Sequence, residues 1–171
     1  MTLRLPAGAM VVLIGPSGAG KSTFAARHFA PTQVLSSDGM RAAVADDPND
    51  QTATDAAFEL LHTALGMRLA RGRLTVVDAT NVERWARDQL LAIARRNRRP
   101  PVAIVLDLPL ATCIERNATR PDRRVPTASI RRQHARMHAS LDGLVAEGFE
   151  PILVLSTVEA VEALSVERDG S

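Results

Sequence analysis

Lysine is nearly absent from this chain of 171 residues: Lys21 is the only one, and arginine supplies the other basic side chains. The Asn-Lys-x-Asp motif with which Ras-like switches read guanine is therefore excluded, because Lys21 lies in a different pattern. Tyrosine is absent too, and aromatic residues make up only 3% of the chain. This scarcity excludes a base-stacking platform of the RNA-recognition type, which needs several aromatic rings on one sheet.

Cysteine occurs once, at Cys113, so no internal disulfide can form and a reducing compartment is expected. The first five residues lack the layout of a signal peptide, and no apolar run approaches the length that spans a membrane. We therefore expect a cytoplasmic protein.

The overall composition is that of an ordinary globular protein, with 46% hydrophobic and 23% charged residues. The length suits one domain with a real core, covering residues 1–171. The net charge is +2 and the sequence pI is about 9.4, because arginine keeps its proton. This gives slight support for a polyanionic partner.

The single lysine stands in Gly15-Pro16-Ser17-Gly18-Ala19-Gly20-Lys21-Ser22, which fits the Walker A pattern G-x-x-x-x-G-K-[ST] without a mismatch. In such a loop, backbone N–H groups and a helix N-terminus face the phosphates, and the ammonium reaches them as a point charge. The flanking strand-like and helix-like runs disfavour a chance glycine-rich turn. The segment predicts a nucleoside triphosphate site made by Gly15, Ser17, Gly18, Ala19, Gly20, Lys21, Ser22 and Thr23, with the Ser22 hydroxyl on Mg²⁺.

Short runs rich in Val, Ile and Leu alternate with amphipathic helical patterns, which indicates an α/β fold with a parallel five-stranded sheet flanked by helices. Such a sheet gathers its ligands at the carboxyl ends of the strands. A last helix is expected from a capping box at Ser156 and Glu159. The predicted strands are Met10–Ile14, Gln33–Leu35, Leu74–Val77, Val102–Leu106 and Ile152–Leu155.

Two carboxylates follow predicted strands and could act in chemistry. Asp38 is followed by Arg41 one helical turn later, so Asp38 could accept a proton from an attacking hydroxyl while Arg41 holds an anionic group. A helix N-cap is an equally open interpretation of Asp38. Asp78 has the layout of a Walker B carboxylate, which binds Mg²⁺, although it could also be a cap or turn residue. We assign the base role to Asp38 because Asp78 has no neighbouring arginine.

Arginines cluster near a predicted helix end, at Arg116, Arg120, Arg123 and Arg124. In a P-loop protein, this segment, about residues 116–131, is predicted to be an arginine-rich lid over the triphosphate. A solvated basic loop is the alternative.

His134 and His138 share a helical face, but the sequence offers no third ligand of suitable type or spacing, so a zinc site is not predicted. Asp46, Asp47 and Asp50 are interpreted as a solvated loop.

These motifs occur together in a fixed order, and the ordered set resembles the 5′-polynucleotide kinase domain of the bacterial polynucleotide kinase-phosphatases of RNA repair. The resemblance covers about residues 10–166. It rests on the P-loop, Ser37-Asp38-x-x-Arg41, Asn49-Asp50-Gln51, Val76-Val77-Asp78-Ala79-Thr80-Asn81, Glu115-Arg116-Asn117 and Arg120-Pro121-Asp122-Arg123.

The resemblance implies an adenylate-kinase-like sheet order and transfer of the ATP γ-phosphate to a 5′-OH end of RNA or DNA, with Mg²⁺ or Mn²⁺. It implies that Asp38 is the general base, that Arg41 grips the acceptor's 3′-phosphate and that Gln51 lies on the acceptor path. Arg116, Arg120 and Arg123 would cover ATP. It also implies phosphatase and ligase domains in the same polypeptide, with this chain as an N-terminal module, although a stand-alone kinase is equally allowed.

Two other functions stay open from the residues alone. A P-loop kinase for a sugar, an antibiotic or a nucleotide-sugar would use Asp38 in the same way, since this carboxylate could deprotonate any hydroxyl. A nucleotide-dependent switch or motor is disfavoured by the missing guanine-reading motif.

Overall fold

The structure is a computed structural model that describes residues 1–122 and 124–169. Within those ranges the strands are β1 (Thr2–Leu5), β2 (Met10–Ile14), β3 (Val34–Ser36), β4 (Thr75–Asp78), β5 (Pro101–Leu106), β6 (Ile152–Leu155) and β7 (Ser165–Arg168). The α-helices are α1 (Lys21–His28), α2 (Ser37–Ala45), α3 (Thr54–Ala70), α4 (Arg84–Arg96), α5 (Leu110–Ala118), α6 (Thr127–Ser140), α7 (Leu144–Glu147) and α8 (Val158–Ala163). None of these helices is both long enough and apolar enough to cross a membrane.

Five parallel strands form the central sheet, in the order β3-β4-β2-β5-β6. The predicted α/β fold with a parallel five-stranded sheet is confirmed, and every predicted strand lies within one residue of its observed bounds. The central position belongs to β2, the strand that leads into the glycine-rich loop. The loop therefore emerges at the middle of the sheet's carboxyl edge.

A second, two-stranded parallel sheet joins β1 to β7, with Thr2 beside Ser165 and Leu5 beside Arg168. The sequence analysis missed this sheet. Its strands have four residues each, and β7 is largely exposed, so neither strand contains the apolar run that marks a buried strand.

The core has two layers because alternate residues of β2 face opposite sides of the sheet. Val11 and Leu13 pack in a layer that includes side chains of α1 and α5. Met10, Val12 and Ile14 pack in the other layer, against α3 and α4. All five side chains are essentially inaccessible to water, as expected for a strand covered on both faces.

One helix boundary differs from the sequence expectation. The N-cap of α8 is Thr157, whose hydroxyl accepts a hydrogen bond from the Ala160 N–H at 3.1 Å. The predicted cap, Ser156, is therefore one residue too early. The helix that contains Arg116 ends at Ala118, two residues before Arg120.

A buried ion pair joins α4 to α7. The Arg87 guanidinium donates from Nη2 and Nε to the two carboxylate oxygens of Glu147, at 2.7 and 2.8 Å. Its Nη1 also donates to the carbonyl oxygens of Asn81 and Val82, both at 3.0 Å. Arg87 is fully buried, so this one side chain links two helices to the segment that follows β4.

Replacing Arg87 with methionine should destabilise the protein by about 3–5 kcal/mol, because the Glu147 carboxylate then stays buried without its partner. Urea unfolding followed by circular dichroism measures this loss. Arg84→Met is the matched control: it removes an exposed pair with Asp88, whose atoms are 3.8 Å apart, and should cost no more than about 1 kcal/mol. Equal losses of unfolding free energy in the two variants would contradict the conclusion that Arg87 stabilises the protein through its buried pair with Glu147.

Candidate active site

The glycine-rich loop connects β2 to α1 through two residues with left-handed backbones. Gly18 and Gly20 have φ values of +84° and +93°, which favour glycine. A Cβ on Gly18 would lie 2.1 Å from the carbonyl oxygen of Cys113 in α5, so no side chain fits there. Gly20 occupies the N-cap position of α1. The loop therefore needs glycine at both positions to pass close to α5 and enter the helix.

Gly15 anchors the start of the loop to the two neighbouring strands. Its N–H donates to the carbonyl oxygen of Thr80, just after β4, at 3.0 Å. On its other side, a Cβ would lie 3.0 Å from the carbonyl oxygen of Leu106 at the end of β5. Gly15 is buried and does not line the cleft, which the loop borders from Ser17 onward.

Lys21 is held by its own loop. Its Nζ donates to the carbonyl oxygens of Gly15 and Pro16, at 2.9 and 3.0 Å. Burial lowers the pKa of the Lys21 ammonium, and the nearby carboxylates of Asp78 and Asp38 oppose that shift. The ammonium thus lies in a poorly hydrated position among carboxylates, where the negative charge of an incoming phosphate would favour its protonated form.

Asp38 and Arg41 form a pair on the first turns of α2. Arg41 Nη1 donates to Asp38 Oδ1 at 2.8 Å, and Arg41 Nε donates to the Thr54 hydroxyl at 3.2 Å. The N-cap of α2 is Ser36, whose hydroxyl accepts the N–H of Gly39. The alternative interpretation of Asp38 as the helix cap is therefore wrong, and its carboxylate is directed to the arginine instead.

Asp78 is the last residue of β4 and is buried. The segment after it is held by Asn81, whose φ is +49° and whose side-chain amide donates to the carbonyl oxygens of Leu13 and Ala79. The Arg87 guanidinium binds the Asn81 carbonyl from the other side. The strand end that presents Asp78 is thus fixed by buried hydrogen bonds.

These elements surround one cleft of about 770 Å³ at the carboxyl edge of the sheet. It brings together residues from widely separated parts of the chain. Of the residues selected from the sequence, the cleft is lined by Ser17, Gly18, Ala19, Gly20, Lys21, Ser22, Thr23, Asp38, Arg41, Gln51, Asp78, Arg116 and Arg120.

Arg116, on the last turn of α5, approaches the glycine-rich loop: its Nη1 lies 3.3 Å from the position that a Cβ on Gly20 would occupy. Arg120, beyond the helix, pairs with Asp122 at 3.5 Å and lies close enough to Lys21 to lower the pKa of its ammonium. Arg124 is exposed. Arg123 lies outside the described residues.

Two features of the cleft were missed by the sequence analysis. Gln133 of α6 accepts a hydrogen bond from the Ser17 N–H at 2.9 Å, so a side chain occupies one backbone donor of the loop. Trp85 of α4 is 65% exposed and lies where the cleft meets a second groove of about 470 Å³ between α3 and α4. A lone glutamine and a lone tryptophan form no motif, so the sequence contained no signal for either.

A family model described as an AAA domain matches residues 10–144, which include the glycine-rich loop, Asp38, Asp78 and Arg116. The chain belongs to this family. Its fold is that of P-loop kinases. No curated protein matches the chain in sequence.

Several solved structures resemble this chain in fold, at low sequence identity. A chain of the Pnkp1/Rnl/Hen1 RNA repair complex is 18% identical with a TM-score of 0.68, covering 81% of this chain and 46% of that one. This chain therefore spans less than half the length of the RNA-repair protein. Kti12 of Chaetomium thermophilum with ADP-AlF3 is 16% identical with a TM-score of 0.61, covering 90% and 93%. A gluconokinase of Sinorhizobium meliloti is 19% identical with a TM-score of 0.56, covering 92% and 90%.

Replacing Gly18 with alanine should destabilise the protein and weaken nucleotide binding. The positive φ alone costs about 1–3 kcal/mol, and the new methyl group collides with the Cys113 carbonyl, which forces the loop or α5 to move. Thermal unfolding and nucleotide titration measure the two effects.

The control is Gly66→Ala in α3, where the nearest atom to an added Cβ is 3.8 Å away. This change should stabilise the helix by roughly 0.5–1 kcal/mol and leave nucleotide binding unchanged. Wild-type nucleotide affinity in Gly18→Ala would contradict the close packing of loop and helix.

Proposed function

We propose that this protein is an ATP-dependent polynucleotide 5′-hydroxyl kinase, which transfers the γ-phosphate of ATP to 5′-OH ends of RNA or DNA in nucleic-acid repair. One observation carries the proposal: the hydrogen-bonded pair of Asp38 and Arg41 lines the same cleft as Lys21 and the glycine-rich loop. A proton acceptor and an anion-binding group thus lie beside a triphosphate site, as transfer to a phosphate-bearing alcohol requires.

In the proposed reaction, the Asp38 carboxylate accepts the proton of the 5′-hydroxyl as the 5′ oxygen forms a bond to the γ-phosphorus. The bond between the γ-phosphorus and its bridging oxygen breaks, and ADP leaves. Lys21 and the loop amides stabilise negative charge on the phosphates. Arg41 holds the acceptor's 3′-phosphate, and Gln51, which lines the cleft, lies on the acceptor's path.

A divalent metal fits this site. Ser22 and Asp78 both line the cleft, and a hydroxyl and a carboxylate are the oxygen donors that Mg²⁺ or Mn²⁺ prefers. When bound, the ion would neutralise charge on the phosphate oxygens. We propose Ser22 and Asp78 as its protein ligands.

The segment of about residues 116–131 is proposed as a lid over the nucleotide. Arg116 and Arg120 already line the cleft, and Arg123 completes the set by its place in the sequence. One arginine that acts on transition-state charge in this way contributes roughly 10³–10⁵-fold in rate.

The proposed partners are 5′-OH RNA or DNA ends, together with phosphatase and ligase domains of the same polypeptide. Support comes from the fold likeness to a chain of an RNA repair complex, of which this chain covers 46%.

A small-molecule kinase is the second candidate. The gluconokinase likeness favours it, because that likeness extends over 92% of this chain and 90% of the gluconokinase. The acceptor distinguishes the two candidates, since a polynucleotide presents phosphates beyond the reacting hydroxyl and a sugar does not.

We expect the protein to label a 5′-OH oligonucleotide from γ-labelled ATP. Asp38→Asn should lower the labelling rate by roughly 10²–10⁴-fold, while ATP binding persists. Lys21→Ala should lose both labelling and ATP binding. Asp88→Asn removes a half-exposed carboxylate on α4 that lies outside the cleft, and it should label at the wild-type rate. Transfer to a sugar with no labelling of oligonucleotides would select the small-molecule kinase instead.

Arg41→Ala should raise KM for an acceptor that has a phosphate 3′ of the reacting nucleoside, and leave KM for ATP close to the wild-type value. The salt dependence of acceptor binding should become shallower, because one phosphate contact is lost. Steady-state kinetics at several salt concentrations measure both effects. If the wild-type enzyme uses a nucleoside without phosphates as efficiently, Arg41 has no such role.

A further inference from the structure

A cluster of three metal-ligating side chains lies outside the cleft, at the junction of β5 and α6. Asp107 directly follows β5, and His134 and His138 lie one turn apart on α6. One potential ligand atom from each residue lies within 4.8 Å of the other two. The sequence offered no third ligand for the two histidines because Asp107 is 27 residues away from the nearer one.

We infer that Asp107, His134 and His138 form a binding site for a divalent transition metal, with Zn²⁺ as the best-fitting ion. Imidazole nitrogens together with a carboxylate oxygen suit zinc, whereas Mg²⁺ selects oxygen donors alone. Three protein ligands also leave a fourth position for water, as in many zinc sites.

The geometry of the histidine pair supports this inference. Two histidines four residues apart on a helix can bind one metal ion, and here the ring centroids are 4.5 Å apart with a tilt of 31°. His138 Nε2 lies 2.7 Å from Asp107 Oδ1. A tetrahedral zinc with bonds of about 2.0–2.2 Å needs donor atoms roughly 3.4 Å apart, so an ion fits after side-chain shifts of an ångström or so.

The surroundings hold the ligands close to these positions. The Asp107 N–H donates to the Leu155 carbonyl oxygen at 2.9 Å, which fixes the residue at the sheet edge. His134 Nε2 lies 3.3 Å from the carbonyl oxygen of Leu108, a contact that orients the His134 ring. The half-exposed His138 provides access from solvent.

Because of the position of the site, a bound ion would affect how α6 is held against the sheet. Gln133, which binds the Ser17 N–H of the glycine-rich loop, directly precedes His134 on α6. An ion held by the three residues would therefore fix α6 to the carboxyl end of β5, next to the strand that leads into the loop.

Metal binding to the chelator-treated protein tests the inference without any kinase assay. Co²⁺ titration followed by visible absorption, and Zn²⁺ equilibrium dialysis, are both run in excess Mg²⁺, which saturates sites built from oxygen ligands. We expect one Zn²⁺ per chain, a tetrahedral Co²⁺ spectrum and a higher melting temperature with zinc.

His138→Gln and Asp107→Asn should each lower the zinc affinity by more than about 100-fold, because even residues that only support a ligand contribute 10–100-fold. They should also abolish the thermal shift. His62→Gln changes a histidine of α3 outside the cluster and should bind zinc as the wild type does. Circular dichroism shows whether each variant is folded. The inference is overturned if the wild type binds no stoichiometric zinc, or if folded His138→Gln and Asp107→Asn bind it with wild-type affinity.

Discussion

The close packing of the glycine-rich loop against α5 is the constraint on which the rest of the cleft depends. At Gly18 the loop passes so near the Cys113 carbonyl that a Cβ would lie 2.1 Å from it. The same helix then presents Arg116 beside Gly20, at the N-terminus of α1. Backbone amides and an arginine from a distant part of the chain thus face the same space because two glycines have no side chains.

A second set of buried contacts fixes the opposite wall. Arg87 binds Glu147 and the carbonyl oxygens of Asn81 and Val82, and Asn81 binds the Leu13 carbonyl. The segment after Asp78 is therefore tied to β2, which supplies the loop, and to α7, which lies far along the chain. Such a network adds specificity of position at the cost of burying charge, and it explains why a fully buried arginine is present in this core.

The identity of the acceptor depends on a smaller part of the structure. The P-loop, Lys21 and Asp78 would serve any phosphotransferase of this fold, and the fold likenesses include both an RNA repair complex and a gluconokinase. Arg41 differs, because it is a buried cation bonded to the proposed base. Under the proposed function, this buried guanidinium would hold the negative charge of a phosphate-bearing acceptor.

Local patterns determined the α/β fold, the five central strands and the position of the glycine-rich loop, because strand runs and Walker A spacing are properties of neighbouring residues. They also selected Asp38, Arg41 and Asp78, but whether Asp38 capped a helix was decided only when the structure assigned that cap to Ser36. Tertiary structure alone decided the contact of Gln133 with Ser17, the exposure of Trp85, the β1–β7 pairing and the meeting of Asp107 with two histidines of α6. Three of these features are contacts between residues far apart in the sequence, and the fourth depends on which elements cover Trp85. No local or periodic sequence pattern encodes them, so they arise only when the elements pack together.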